Sequence, residues 1–169
     1  MEKSQKDVFI TTLDKHKRII YKIVNSYCKN PEDRKDLEQE IIIQLWNSFH
    51  KYNSDFQFST WMYRIALNVA ISFYRRERKR ATVNDDYGQA IIHNIADESD
   101  YNEEQDQNVK LLQRFISELN ELNKALMLLY LDGKAYEEIA DILGITKTNV
   151  ATKISRLKVK LKEEFQKHL

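Results

Sequence analysis

Between Thr146 and Lys162 the chain places Thr148, Asn149, Thr152, Ser155 and Arg156 where one side of a helix would present them. Lys147, Lys153 and Lys158 flank them, and the stretch holds no acidic residue. Short hydroxyl and amide side chains exchange hydrogen bonds with base edges, a guanidinium forks onto guanine, and ammonium groups neutralise phosphates. A helix that merely faces water more often mixes both signs of charge. The chemistry these residues offer is recognition of duplex DNA in the major groove.

A second constellation precedes it. Lys51, Tyr52, Asn53, Phe56 and Phe58 lead into Trp61, and Arg64, Asn68, Arg75 and Arg76 follow on the polar side of the next helical stretch. Aromatic rings accept stacked bases while cations neutralise the backbone, which is what single-stranded DNA requires. Trp61 and Phe73 also suit a hydrophobic core, whereas Lys51, Tyr52 and Asn53 suit nucleic acid.

No bond-making constellation accompanies these two. There is no phosphate-cradling glycine loop, no metal-ligand spacing and no nucleophile beside a base. The acidic pairs Asp85-Asp86 and Glu137-Glu138 read as solvated charge, and His16, His50, His93 and His168 are scattered. Cys28 is the single cysteine, so it forms no intramolecular disulfide, and its apolar neighbours suit a small buried thiol. The expectation is a binding protein, not an enzyme, with no cofactor and no metal.

The elements that must position these residues follow from periodicity. Ile139, Ala140, Ile142 and Leu143 make one short helix, Gly144 interrupts, and Thr146 caps a second helix whose buried stripe is Val150, Ile154, Leu157 and Leu161. This is a helix-turn-helix. Upstream, residues 6–29 read as one helix ended by Asn30-Pro31. Pro31, Glu32 and Asp33 suit the first turn of the next. Leu37, Ile41, Ile42, Leu45, Trp46 and Phe49 then form an apolar stripe, with Asp36, Glu38, Gln39 and Glu40 outside it. Residues 50–58 read as a loop. A helix from Trp61 to about Lys79, capped by Ser59 or Thr60, buries Trp61, Met62, Ile65, Val69, Ala70 and Phe73. Further helices are expected from about Val109 to Leu119 and from Leu122 to Leu131, the latter ending at Gly133.

The chain has 169 residues, 42% of them hydrophobic, but only three glycines and one proline, which suits an all-α fold with one medium core or two small ones. No apolar run is long enough for a membrane span and the first residues lack a signal-peptide core, so a soluble, cytoplasmic protein without membrane insertion is expected. The net charge of +1 conceals blocks. Residues 1–80 hold 16 basic and 10 acidic residues, 81–109 hold 8 acids and no base, and 110–169 hold 11 bases and 8 acids. The expected organisation is therefore a helical domain over 1–80, an acidic flexible linker over 81–107 and a helix-turn-helix domain over 108–169.

Two stretches resemble a known family. DRKDLEQEIIIQLWNSF followed by FSTWMYRIALNVAISFYRRERKR resembles region two of bacterial RNA polymerase sigma factors, and LNKALMLLYLDGKAYEEIADILGITKTNVATKISRLKVKL resembles their region four. Their order and the short linker resemble the extracytoplasmic-function (ECF) group, from about Lys17 to Phe165. The resemblance implies a monomer that binds core RNA polymerase through the β′ clamp helices and β flap, with Asp36, Leu37, Gln39 and Glu40 on the clamp-docking surface. It implies that Lys51 to Phe58 and the start of the Trp61 helix capture an unstacked base of the minus-ten promoter element. It also implies that the second helix of the helix-turn-helix reads the minus-thirty-five element, with Thr148, Asn149, Thr152 and Arg156 toward base edges and Lys147, Lys153 and Lys158 toward phosphates. The linker would occupy a basic channel built for RNA, and an anti-sigma factor would be a partner. The alternative is a free-standing helix-turn-helix regulator that binds duplex operators as a dimer.

Overall fold

The computed structural model describes residues 4–83 and 103–168, and every described element is helical. Most of the acidic stretch expected as a linker lies outside the described residues. The helices that border it run further than expected: one continues to Val83 and the next begins at Glu103.

Helix α1 (Gln5–Lys15) starts at Ser4, whose hydroxyl accepts from the Asp7 amide. The single helix expected over 6–29 is two, α1 and α2 (Lys17–Tyr27), broken at His16. The break is made at His16 itself. The His16 Nδ1 lies 3.0 Å from the Thr12 carbonyl, and the His16 amide bonds instead to Leu13. The imidazole is held by packing 5.0 Å from the Phe58 ring.

Helix α3 (Pro31–Ser48) begins as its sequence dictates. The Asn30 side chain accepts from the Asp33 amide at 2.7 Å, and Pro31 occupies a position whose amide needs no partner. Leu37, Ile41 and Leu45, four residues apart, are its fully buried stripe. A single 3-10 turn (Phe49–Lys51) leads into the loop, and α4 (Phe58–Val83) follows. It starts three residues before the expected Trp61, because the Gln57 carbonyl accepts from Thr60 and Trp61. Met62, Tyr63, Ala66, Leu67, Ala70 and Phe73 are its buried face, packed on α2 and α3, while Trp61, Ile65 and Val69 are half-buried at its margin.

Helices α5 (Glu103–Glu118), α6 (Glu121–Leu131), α7 (Tyr136–Leu143) and α8 (Lys147–Lys167) complete the chain. Asn120 caps α6 and Thr146 caps α8, each accepting from the amide three residues on. Gly144 ends α7 at φ 69°, and its amide and that of Ile145 both bond to the Ala140 carbonyl. That left-handed residue turns the chain so that Val150, Ile154 and Leu157 of α8 bury against α6 and α7. The buried apolar residues of both halves belong to one continuous cluster.

Two outcomes follow. Nothing lies within 4 Å of a Cβ added at Gly144, so Gly144→Ala meets only the backbone penalty of its positive φ. It should lower the unfolding free energy by about 1 kcal/mol in denaturant titration. Burial and the Asp33 carboxylate push the Cys28 thiol up to about 12. At mildly alkaline pH the native chain should therefore leave a disulfide reagent unreacted, and the denatured chain should react with it stoichiometrically.

Candidate nucleic-acid interface

The α8 face is assembled as its spacing requires. With Val150, Ile154 and Leu157 turned inward, Thr148, Asn149, Thr152, Ser155 and Arg156 are exposed together. The Thr146 cap leaves the first turn of α8 pointing outward, and its free amides add positive potential there. The cations are less uniform. Lys147 pairs with Glu137 at 2.9 Å, Lys153 is half-buried, and the Lys158 ammonium sits 4.6 Å over the Tyr130 ring. A cleft of about 520 Å³ runs beside this face, lined by Asn123, Lys153, Arg156, Val159 and Lys160 among others.

The loop before α4 is ordered by its own side chains. The Tyr52 hydroxyl donates to the Phe56 carbonyl at 2.9 Å, and the Asn53 side-chain oxygen Oδ1 accepts from the Asp55 amide at 3.1 Å. Tyr52, Phe58 and Trp61 pack mutually with centroids 5.2–5.3 Å apart, and Phe49 stacks on Tyr52 at 6.4 Å. Lys51, Asn53 and Phe56 are exposed, Phe56 at 65%. Phe58 is 8% exposed and sits beneath the cluster, so the expectation that its ring meets DNA is corrected: it supports Tyr52 and Trp61 from below.

The α4 cations point out of the core but are engaged by the rest of the chain. Arg64 donates to the Asp141 carbonyl at 2.9 Å, Arg75 pairs with Glu121 at 3.0 Å, and Arg76 grips both oxygens of Glu40 at 2.7 and 2.9 Å. Glu40 holds the Arg76 guanidinium above its ordinary range. Glu121, capped by its own backbone amide and paired with Arg75, is held below the usual carboxylate range. Asn68 is exposed.

On α3, Asp36 and Gln39 are exposed and Glu40 is half-buried. Leu37 is 0% exposed, so its expected place on a docking surface is corrected: it anchors α3 to the core while its polar neighbours face out. Sequence reasoning assigned Trp46 to the apolar stripe and left Ile43 without a role. Both are largely exposed on this helix, Trp46 with one face against Phe9 at 5.1 Å. It also missed Glu121, Asp132 and Asp141, whose contacts with the N-terminal half span 46 to 110 residues. No local pattern could have signalled them. Among the described residues no group of three His, Cys, Asp or Glu side chains could hold a metal ion, and no helix is long and apolar enough to cross a membrane.

An all-helical chain with a helix-turn-helix in one half and an aromatic, cation-lined loop and helix in the other is a DNA-binding protein. Residues 12–80 match the family model Sigma-70 region 2, and residues 110–161 match Sigma-70, region 4. The chain belongs to the sigma-70 family of RNA polymerase sigma factors and to its ECF group. It is 28% identical over 159 residues to RNA polymerase sigma factor SigV of Bacillus subtilis, covering 92% of this chain and 91% of that one. It is 25% identical over 149 residues to ECF RNA polymerase sigma factor SigM of the same organism, covering 88% and 89%. Its fold is similar to that of the sigma factor RpoE, solved in complex with the anti-sigma factor NepR from Bartonella quintana. That match has a TM-score of 0.72 and 20% identity, covering 94% of this chain and 96% of that one. It is also similar to CnrH in complex with the cytosolic domain of CnrY, with a TM-score of 0.67 and 17% identity, covering 96% and 90%.

The two loop phenylalanines should separate on substitution. Phe58→Ala removes a buried ring and should cost about 3 kcal/mol of stability, whereas Phe56→Ala should stay within about 0.5 kcal/mol of the parent in the same denaturant titration.

Proposed function

We propose that this sigma factor divides promoter recognition between its two halves while α3 holds it on core RNA polymerase. The observation that supports this most directly is that the exposed α8 face and the ordered loop with the α4 cations lie on different halves of one chain. Two separated promoter elements can then be gripped together. In this reading Asp36, Gln39 and Glu40 meet the β′ clamp helices. Their acidic and amide character suits a basic partner surface. The C-terminal half additionally meets the β flap.

Thr148, Asn149, Thr152, Ser155 and Arg156 read minus-thirty-five base edges, and Lys147, Lys153 and Lys158 hold the flanking phosphates. Lys51, Tyr52, Asn53 and Phe56 receive the minus-ten strand. The exposed edge of Trp61 provides a stacking surface, and Arg64, Asn68, Arg75 and Arg76 follow its backbone. Stacking one flipped base offsets the few kcal/mol that unstacking costs, so strand opening is driven by binding and needs no reaction catalysed by this chain. The family match favours this polymerase subunit over a regulator that binds operators by itself.

The remaining assignments extend the same reading. The acidic stretch over 81–107 is a linker between a 1–80 domain and a 108–169 domain, and it occupies a basic channel of the polymerase that the transcript later enters. The protein works in the cytoplasm as a monomer until it joins the polymerase. The RpoE and CnrH structures each contain a bound regulatory protein or domain, and we extend to this chain an anti-sigma partner of that kind.

Run-off transcription with core polymerase on genomic fragments tests the reading, and failure to form a stable complex with core would sink it. Arg156→Ala should cut output from the mapped promoters by about five- to 150-fold, as loss of a base contact of about 1–3 kcal/mol predicts, with core binding retained. Lys153→Ala should weaken duplex binding across sequences and lower the salt slope by about one. Unchanged output from both would remove α8 as the reader.

A further inference from the structure

Helix α1 belongs to neither DNA-facing surface, and it begins ahead of residues 12–80, the stretch that matches the region-two family model. Phe9, 4% exposed, is its one buried side chain; Leu13 is half-buried, and Val8 and Ile10 are exposed. A helix with so little apolar cover is placed chiefly by what that ring touches. Phe9 lies 5.1 Å from Trp46 and 5.1 Å from Phe49, the second contact edge-on. Phe49 in turn lies 6.4 Å from Tyr52 and 6.3 Å from Trp61. At the other end of α1 the His16 ring lies 5.0 Å from Phe58, which lies 5.3 Å from Tyr52 and 5.2 Å from Trp61.

Phe9 and His16 are seven positions apart, two turns and about 10 Å along a helix, so both leave the same side of α1. The rings they meet, Phe49 and Phe58, each contact both half-buried rings of the loop and α4, Tyr52 and Trp61. His16 is itself fixed. The Thr12 carbonyl can only accept, so Nδ1 donates to it at 3.0 Å, while the His16 amide and carbonyl bond to Leu13 and Ile19.

We propose that α1 braces the strand-binding loop: Phe9, through Phe49, and His16, through Phe58, are positioning residues that hold Tyr52 and Trp61 ready to receive a base. The proposal rests on the reading that this loop binds the minus-ten strand. Its physical content is preorganisation. A ring already standing in its bound orientation loses little freedom when a base stacks on it, whereas a loose ring must be ordered at that moment. The loop's own hydrogen bonds, Tyr52 to Phe56 and Asp55 to Asn53, fix its tip. They do not fix where the tip stands against α4, and the rings backed by α1 supply that.

The chain has two tryptophans, so Trp46→Phe keeps a ring beside Phe9 and leaves Trp61 as the single reporter within the cluster. In that background, emission anisotropy decay of the free chain should show a fixed indole. Phe9→Ala and His16→Ala should each release it at unchanged helicity. With Trp46 restored, each variant is assembled with saturating core polymerase and given a labelled minus-ten non-template strand from a promoter mapped by run-off transcription. Strand binding should weaken about two- to tenfold, as re-ordering one freed side chain requires. Phe9→Met refills the space and should recover most of both readouts. Ile23→Val, which thins the buried core at α2, should move neither. Binding of the minus-thirty-five duplex should change less than about twofold throughout.

A Trp61 that stays fixed in both alanine variants would overturn the brace. If Phe9→Ala fails to fold, the half-buried His16→Ala decides alone. Weaker strand binding matched by Ile23→Val would reduce the effect to general stability and overturn the proposal. A released Trp61 with unchanged strand binding would overturn the positioning role. In that last case Lys51→Ala with Phe56→Ala, both at exposed positions, locates the fault. Loss of strand binding there leaves the minus-ten assignment standing, and no loss removes the assignment as well.

Discussion

Helix α4 is the constraint on which the molecule depends. It packs on α2 and α3 in its own half and on α6 and α7 in the other, so one twenty-six-residue helix serves four neighbours. A helix period of 3.6 allows this only if the surface is divided by angle. Met62, Tyr63, Ala66, Leu67, Ala70 and Phe73 face the core, and Arg64, Asn68, Arg75 and Arg76 lie on the rest. The small residues Ala66 and Ala70 let a neighbouring helix approach closely, and the larger side chains around them fill the remaining space. Everything the N-terminal half offers to a nucleic acid hangs from that division.

How legible this was depended on range. The helix-turn-helix was readable because each of its causes is local: the Thr146 cap, the left-handed Gly144 and the stripe at Val150, Ile154 and Leu157 all lie within a few residues of what they control. The break at His16 was not, because it depends on an imidazole turned back onto Thr12 and held by Phe58 from the other end of the domain. Leu37 and Phe58 show a different failure. The period through Ile41 and Leu45 already placed Leu37 in the buried stripe, and its position in a docking pattern outweighed that signal. For Phe58 an aromatic type in a polar loop suggested exposure, whereas three neighbouring rings had room to enclose it. The seam between the halves was invisible, since its partners are far apart in sequence and its charges are ordinary surface charges until they meet.

The seam also shows why a charge count needs geometry. Asp132 is partly sheltered, which alone would raise its carboxyl, yet Lys22, Tyr63 and Lys134 together bring it below the usual range. Tyr63 beside it is pushed well above its ordinary range by burial and by that acid, so it stays a neutral phenol. Its hydroxyl is buried and meets no partner at hydrogen-bonding geometry among the described residues. Tyr63 and Asp132 thus set each other's protonation across the seam, the phenol neutral and the carboxylate ionised.

The contacts across the seam differ in kind, and so in how much each contributes. Ion pairs at an exposed seam contribute about 0–1 kcal/mol each, because water and salt already screen the separated charges. Arg75 keeps most of its side chain in water while Glu121 is largely sheltered, so their pair belongs to this weak class. The apolar side chains that run continuously beneath both halves contribute more, because separating them would return their area to water. Lys124, 3% exposed among these side chains, is sheltered by the Tyr27 and Tyr74 rings, which only partly replace its lost hydration. The halves are therefore held chiefly by the apolar cluster beneath them, while the exposed pairs set how they register against each other.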